Sequence, residues 1–335
     1  MTLQSYRITA VPKVTVIITA YNLGSFVGQA VESVMHQTFE EWELLVINDG
    51  SVDHTPQVVM PYTVADSRIR LINCKNGGVC RARDLGAELA LAPHILFLDG
   101  DDFLEPSCLE ILNKELDSNP DAIGAYGLPK AVDELDRVIC DDLNNAFGAV
   151  RVKVCGGKHV ALKDSEPTTL ATMCIWDFIC TPGQVMIRKS AFEKTGGHYN
   201  EIPHSEDWDL WIRLCLLGDF VYVRKFVMTK RERKTSRSKH WPSMALAEPI
   251  IRQRLASKLL MSAEQRHIAR SAHRYSCLYK LGWAKSSLKS DGLMESLKQV
   301  FRACRSYIGY LRTHYDFKNV VESSSQADEF LMEVA

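Results

Sequence analysis

Short apolar runs alternate with amphipathic stretches along residues 13–126 of this 335-residue chain. Four runs rich in β-branched or other apolar side chains predict strands buried on both faces, over residues 14–19, 42–48, 68–73 and 95–99. Apolar positions at helical spacing predict helices over residues 25–37, 79–91 and 106–117, and a short helix after Pro56. This alternation is typical of right-handed βαβ units around a mostly parallel sheet.

The periodicity weakens between residues 128 and 179, where Gly156-Gly157 and Pro167 interrupt it. It resumes with a strand over residues 183–188, helices over 189–195 and 206–217, and a final strand over 220–223. From residue 251 onward the chain reads as helical. We therefore expect an α/β fold with an N-terminal tail (residues 1–12), a main domain (13–240) and a C-terminal α-helical extension (241–335).

Composition narrows the class of protein. Hydrophobic residues make up 46% of the chain and the net charge is −1, so no strong field favours nucleic acid as a partner. The ten cysteines include no C-x-x-C pair, which favours a reducing compartment. The N-terminus lacks a signal-peptide profile and no apolar run approaches the roughly 18 residues of a membrane span. We expect a cytoplasmic protein, or one held peripherally at the inner face of the membrane.

Three carboxylates follow the fourth predicted strand within residues 99–102, which read Asp-Gly-Asp-Asp. Adjacent carboxylates repel each other and resist burial, so a divalent cation carrying a polyphosphate would offset their charge. Mg²⁺ suits such a site because it favours one or two carboxylates together with phosphate oxygens and water. The alternative is a solvated acidic turn. Thr19, Asp49 and Asp99 all fall at carboxyl ends of predicted strands, where ligands of parallel sheets bind.

Five motifs occur in order along the chain: Val14 to Asn22, Asn48-Asp49-Gly50-Ser51, Asn76-Gly77-Gly78 with Ala82-Arg83, Leu98-Asp99-Gly100-Asp101-Asp102, and Ser205 to Leu214. Together they resemble family 2 glycosyltransferases, inverting enzymes with the GT-A (nucleotide-diphospho-sugar transferase) fold. The resemblance covers roughly residues 13–236. It implies transfer of a sugar from a nucleoside-diphosphate sugar, with uridine diphosphate favoured, to a hydroxyl of a saccharide or lipid-linked saccharide. Surface polysaccharide or glycoconjugate synthesis is the implied setting.

The same resemblance implies a donor-binding half over residues 13–127 and an acceptor-binding half over 128–240. It assigns nucleotide-sugar binding to nine residues: Thr19, Ala20, Tyr21, Asn22, Asp49, Arg83, Asp99, Gly100 and Arg233. Tyr21 offers a flat face for the base, and Asp49 matches the aspartate that accepts a base N–H. The structural alternatives are a half-buried core aromatic for Tyr21, an Asx turn for Asp49 and a solvated helix-face arginine for Arg83.

Two further acids carry the implied chemistry. Asp101 matches the carboxylate that ligates Mg²⁺ or Mn²⁺, and the metal would neutralise charge on the leaving diphosphate. Asp207 matches the catalytic base that takes the acceptor hydroxyl proton in a single displacement. A helix N-terminus should keep Asp207 ionised at neutral pH, and the alternative for Asp207 is an ordinary acid of a first helical turn.

The chain also departs from the family pattern. Lys230-Arg231-Glu232-Arg233 replaces the tyrosine-arginine-x-histidine segment of many relatives, so Arg231 or Arg233 would clamp the diphosphate. The Q-x-x-R-W stretch of processive synthases is missing from the sequence, which favours single additions.

The sequence bears on three rival functions. A nucleotide-sugar pyrophosphorylase needs a glycine-rich basic loop after the first strand, and a dehydrogenase needs G-x-G-x-x-G there; residues 20–24 supply neither. A catalytically inactive, saccharide- or nucleotide-binding scaffold is the third.

The C-terminal extension is basic, with fourteen Lys and Arg against four acids between residues 251 and 318. It reads either as a helical cap with a solvated basic face or as a surface for anionic lipid. Lipid contact would bring a lipid-linked acceptor to the enzyme.

Overall fold

The computed structural model describes residues 11–146, 151–155, 158–202 and 204–234, with seven single positions beyond them (236, 247, 250, 251, 254, 262 and 265). The chain divides into two units, one formed by Met1–Glu201 and Glu206–His240, the other by Ile202–Ser205 and Trp241–Ala335. Most of the predicted N-terminal tail and nearly all of the predicted C-terminal extension lie outside the described residues. The domain boundaries and the proposed lipid surface therefore stay predictions.

The strands are β1 (Val14–Ala20), β2 (Trp42–Asn48), β3 (Ile69–Asn73), β4 (His94–Asp99), β5 (Phe103–Leu104), β6 (Gly124–Val132), β7 (Val138–Cys140), β8 (Val152–Cys155), β9 (Lys158–Ala161), β10 (Val185–Arg188) and β11 (Phe220–Arg231). The helices are α1 (Val27–Met35), α2 (Thr55–Ala65), α3 (Val79–Leu89), α4 (Cys108–Ser118), α5 (Leu143–Ala146), α6 (Leu170–Met173), α7 (Lys189–Thr195) and α8 (Glu206–Leu214). A 3₁₀ turn over Pro182–Gln184 precedes β10. Where the structure describes the chain, no helix has the length and apolarity needed to cross a bilayer.

One nine-stranded sheet organises the fold, in the order β3-β2-β1-β4-β10-β6-β11-β5, with β7 paired to β6. Strands β1 to β4 run parallel to one another, and β6 runs parallel to β11. β10 is antiparallel to both β4 and β6, and β5 is antiparallel to β11. The predicted α/β fold with a mostly parallel central sheet is confirmed.

Helix α3 lies close against the first strand. Every residue of β1 is buried because helices cover both faces of the sheet. A Cβ atom on Gly86 of α3 would come within 2.3 Å of the Ile17 Cγ2 atom of β1, so only glycine permits this approach. Arg83 lies on the same buried face of α3, one turn before Gly86. The helix therefore directs an arginine inward, towards the carboxyl edge of the sheet.

Two strands of the second half differ from the sequence-based expectation. β6 was not predicted, because Gly124, Gly127 and Pro129 resemble a loop; in the fold, a Cβ atom on Gly124 would lie 2.6 Å from the Phe220 ring of β11. β11 continues to Arg231 instead of ending at residue 223, and its basic positions 224 and 225 are exposed where the register shifts. The longer β11 carries the basic segment back to the acidic turn after β4.

Candidate active site

The carboxyl ends of three parallel strands meet at one edge of the sheet. Thr19 lies opposite Asp99 in the β1–β4 ladder, and Ala20 lies opposite Asn48 in the β1–β2 ladder. The Gly100 N–H donates to the Thr19 carbonyl oxygen at 2.9 Å. A Cβ atom on Gly100 would stand 2.9 Å from that same oxygen, so the turn after β4 approaches β1 closely. Sequence positions far apart are thus adjacent at this edge.

Asp49 is held by the loop that precedes α3. Its Oδ1 accepts the Gly77 N–H at 2.8 Å and its Oδ2 accepts the Gly78 N–H at 3.0 Å. Gly78 has φ +87°, a conformation that favours glycine. The expected Asx turn exists, but Asn48 forms it, since Asn48 Oδ1 accepts the Ser51 N–H at 3.2 Å. Asp49 therefore fixes the neighbouring loop with both carboxylate oxygens.

The loop after β1 is tied to the loop after β2. The Asn22 N–H donates to Ser51 Oγ at 2.9 Å, and Asn22 Oδ1 accepts the Val52 N–H at 2.9 Å. Asn22 has φ +54°, which an asparagine tolerates. Tyr21 is 49% exposed, so about half of the residue is open to solvent. A tyrosine ring thus stands at the surface of a backbone that is fixed on both sides.

Arg83 joins the turn after β4 to the start of α8. Its Nη2 donates to Asp99 Oδ1 at 2.8 Å and its Nη1 donates to Glu206 Oε1 at 3.4 Å. Arg83 is only 3% exposed, so it is not the solvated arginine of the alternative interpretation. Burial opposes its charge, but Asp99, Glu206 and Asp207 together raise the pKa of Arg83 above its ordinary value. The guanidinium therefore stays charged at the centre of three carboxylates.

Asp207 lies in the first turn of α8, where its Oδ1 accepts the Trp208 N–H at 2.9 Å. Burial and the Glu206 carboxylate raise the pKa of Asp207 to about 6, and Arg83 opposes them. The helix N-terminus does not set this pKa alone, because burial and a like charge outweigh the helix dipole. Asp207 remains largely ionised at neutral pH with a pKa suited to proton transfer.

The basic end of β11 contacts the acidic turn. Arg233 Nε donates to Asp101 Oδ2 at 2.6 Å. The Arg231 N–H donates to Asp102 Oδ1 at 2.8 Å, and Arg231 Nε donates to the Asp101 carbonyl at 3.1 Å. Burial and the Asp99 carboxylate raise the pKa of Asp101, while Arg233 acts in the opposite sense. Asp101, Asp102 and the end of β11 thus form one connected cluster.

Asp99 and Asp101 suit a divalent cation that brings its own phosphate oxygens. Among the described residues, no group of three or more acidic, histidine or cysteine side chains is placed to hold a metal by protein ligands alone. Mg²⁺ needs only one or two carboxylates when phosphates complete its shell. Asp99 already raises the pKa of Asp101, and a bound cation would relieve this repulsion. The donor set therefore fits a metal that binds together with a diphosphate.

The sequence interpretation missed Asp177. Its Oδ1 accepts the Ile179 N–H at 3.1 Å, and burial and Asp207 raise the pKa of Asp177 well above its ordinary value. The segment around it is fixed at both ends, because Trp208 Nε1 donates to the Met173 carbonyl and Thr181 Oγ1 lies 3.4 Å from Asp102 Oδ2. An acid inside an otherwise apolar run was the available signal.

Comparison with known proteins gives one family. The sequence model of "Glycosyl transferase family 2" matches residues 15–196, more than half of the chain. Chondroitin synthase of Escherichia coli is 26% identical over 223 residues, which cover 67% of this chain and 29% of that enzyme. The chain spans about a third or less of the length of the curated relatives that it matches first.

Two solved structures share the fold. Residues 1–349 of S. aureus TarS, in complex with UDP-GlcNAc, superpose with a TM-score of 0.59 at 17% identity, covering 87% of this chain and 79% of that one. The mannosyltransferase PcManGT of Pyrobaculum calidifontis, in complex with GDP-Man and Mn²⁺, gives a TM-score of 0.61 at 12% identity, covering 92% and 88%. At these identities the likeness concerns the fold alone.

Proposed function

The chain belongs to glycosyl transferase family 2, whose enzymes act on nucleotide sugars, and from this premise we propose that it transfers one sugar at a time with inversion. The donor is a nucleoside-diphosphate sugar, uridine-linked, and the acceptor is a hydroxyl of a saccharide or lipid-linked saccharide. Asp207 is the base, and Mg²⁺ or Mn²⁺ assists departure of the diphosphate. Family membership makes the inactive scaffold the weaker alternative.

The observation that carries this proposal is the position of Arg83. One buried guanidinium contacts Asp99, from the proposed donor side, and Glu206, the neighbour of the proposed base. The donor-side acids and the start of α8 are therefore parts of one charged network. Such a network is what a displacement needs, because the leaving group and the attacking hydroxyl react at one carbon.

On the donor side, the proposal gives Asp49 and Tyr21 the nucleobase. Tyr21 offers an exposed ring for stacking beside Thr19, Ala20 and Asn22, the end of β1 and the start of its fixed loop. Asp49 Oδ1 accepts from the Gly77 N–H and the Cys74 thiol, whereas Oδ2 accepts the Gly78 N–H and can accept a second hydrogen bond from a base. The UDP-GlcNAc complex of TarS agrees with a uridine carrier. Because PcManGT was solved with GDP-Man, guanosine-linked sugars should also be tested as donors.

In the transfer step, Asp207 accepts the proton of the acceptor hydroxyl as the oxygen forms its bond to the anomeric carbon. The bond between that carbon and the diphosphate breaks on the opposite face, which inverts the configuration. Asp99 and Asp101 would hold the cation, which supplies neutralisation of the charge on the leaving diphosphate. Arg83 forms one ion pair with Asp99 and another with Glu206. Arg233 lies beside Asp101, where it would bind the phosphates.

On the acceptor side, burial and the charge of nearby Asp207 raise the pKa of Asp177, and the proposal makes Asp177 an acceptor contact. The similarity to chondroitin synthase agrees with a saccharide acceptor in polysaccharide or glycoconjugate synthesis. We also propose a cytoplasmic or peripheral location, with the C-terminal extension, predicted from the sequence to be helical, on the membrane.

A panel of UDP- and GDP-sugars, assayed for release of nucleoside diphosphate with Mn²⁺ or Mg²⁺, tests this function. We expect slow, metal-dependent hydrolysis of one donor, since water replaces the acceptor. Asp101→Asn should abolish it, while Lys234→Ala, which removes a nearby exposed charge, should not. Failure of every donor to react, or hydrolysis that survives Asp101→Asn, would contradict the proposal.

A further inference from the structure

Asp101, the carboxylate proposed to hold the metal, already forms an ion pair with Arg233. Arg233 Nε lies 2.6 Å from Asp101 Oδ2, a short charge-assisted hydrogen bond. The two side chains are 20% and 13% exposed, so the pair is largely removed from solvent. A guanidinium in this position neutralises Asp101 as a metal ion would. Arg233 therefore competes directly with the metal for Oδ2 of Asp101.

Arg231 and Arg233 are anchored differently, although one residue separates them. Arg231 is 2% exposed and binds through its backbone N–H to Asp102, through Nη1 to the Asp133 carbonyl at 3.1 Å and through Nη2 to Asp136 at 2.7 Å. Arg233 lies beyond the end of β11, and its backbone N–H donates to Ser236 Oγ at 3.0 Å. Arg231 is thus a structural anchor, whereas Arg233 extends from that anchor to the acidic turn.

A metal ion and the guanidinium cannot share Asp101 favourably. A divalent cation on the same carboxylate would lie within contact distance of a fixed positive charge, and like charges at this distance repel strongly where water is scarce. A diphosphate changes this balance, because its oxygens bind guanidinium groups bidentately and also bind the metal. The donor offers Arg233 a second anionic partner close to the first.

We propose that Arg233 is the counter-ion of Asp101 in the donor-free enzyme and passes to the diphosphate when the metal takes its place. This inference rests on the proposed function, since it requires a metal-assisted diphosphate donor. Its consequence is that metal and nucleotide bind together: the metal binds weakly to the donor-free enzyme and more tightly when the nucleotide is present. Asp101 therefore has a positively charged partner in both states.

Mn²⁺ titrations followed by electron paramagnetic resonance test the inference on the full chain, because the signal of free Mn²⁺ reports binding without turnover. We expect weak binding to the wild-type protein alone and tighter binding with UDP or GDP, after subtraction of the nucleotide's own binding. Arg233→Ala should tighten binding without nucleotide by about tenfold. Arg233→Lys, which keeps the charge, should remain close to wild type, and Asp101→Asn should lose the site.

Lys234→Ala is the matched control, because it removes one positive charge from the exposed neighbouring position. It should leave Mn²⁺ affinity unchanged, and a thermal melt of each variant checks that it is folded. Equal Mn²⁺ affinity of Arg233→Ala and wild type without nucleotide would overturn the exchange but leave the proposed function intact. No Mn²⁺ binding by wild type with either nucleotide would instead overturn the metal-assisted function itself.

Discussion

The turn around Asp49 and the start of α8 around Asp207 surround a carboxylate with opposite environments. Asp49 is surrounded by donors, with Gly77 and Gly78 each giving one N–H to a separate oxygen. Asp207 receives the N–H of Trp208 and otherwise faces Glu206 and Arg83, and its pKa is raised to about 6. The first arrangement fixes a loop in one geometry. The second keeps a carboxylate basic, which a proton acceptor requires.

The comparison predicts where mutations in each region will be felt. Changes around Asp49 should alter stability and nucleotide binding, and changes around Asp207 should alter turnover and its pH dependence.

The largest expected effect comes from Asp207→Asn. The amide cannot take a proton from the acceptor, so we expect kcat to fall about 10³-fold, while UDP affinity and the unfolding temperature stay close to wild type. Steady-state kinetics, nucleotide titration and a thermal melt measure the three quantities. A variant that retains more than a tenth of the wild-type rate would show that Asp207 is not the base.

Asp49→Ala should act mainly on the folded loop. It leaves the Gly77 and Gly78 N–H groups without their acceptor, at a cost of about 1–3 kcal/mol in the free energy of unfolding. Urea unfolding measures this change, and nucleotide binding should weaken with it. Asp121→Ala, which removes an exposed carboxylate, is the control and should have little effect. Unchanged stability would mean that the loop does not depend on Asp49.

Tyr21→Ala separates nucleotide binding from stability. The ring is 49% exposed, so its loss should scarcely change the free energy of unfolding. Stacking of one base on an aromatic ring contributes about 1–3 kcal/mol, so the donor dissociation constant should rise about tenfold or more. Calorimetric titration with UDP measures this. An unaltered dissociation constant would remove Tyr21 from the nucleobase site.

The smallest change concerns pH. Protonated Asp207 cannot act as the base, so donor hydrolysis should fall tenfold per pH unit below about 6. Glu206 raises the pKa of Asp207, so Glu206→Gln should lower that pKa and move the acidic limb of the rate profile to lower pH. A limb that stays in place or moves upward would contradict the electrostatic account.

Much of the first half was predictable because its rules are local. Each βα unit buries a continuous apolar strand, so β1 to β4 and the edge with Thr19, Asp49 and Asp99 follow from pattern alone. The acidic turn that contains Asp101 was also visible in the pattern, and the family resemblance added the proposed role of Asp207. The inward direction of Arg83 was not predictable, because it depends on how closely Gly86 lets α3 approach Ile17.

The second half was harder to predict because its strands carry glycine, proline and charge where strands usually carry apolar side chains. β6 uses Gly124 to admit Phe220, and β11 continues through basic residues to Arg231. Asp177 gave only a weak signal, since an isolated acid in an apolar run has many explanations. The raised pKa of Asp207 depends on burial and neighbours that no sequence spacing reveals.

The absence of a side chain at Gly86 therefore affects more than the packing of α3. Because α3 is in contact with β1 at that glycine, the distance from helix axis to sheet sets how far Arg83 extends past Asp99 towards Glu206. The absence of a Cβ atom at position 86 thus helps to set the distance between Asp99 and Glu206, the two acids that Arg83 contacts. A side chain introduced at position 86 is therefore expected to displace Arg83 from Asp99 and Glu206 as well as to disturb packing.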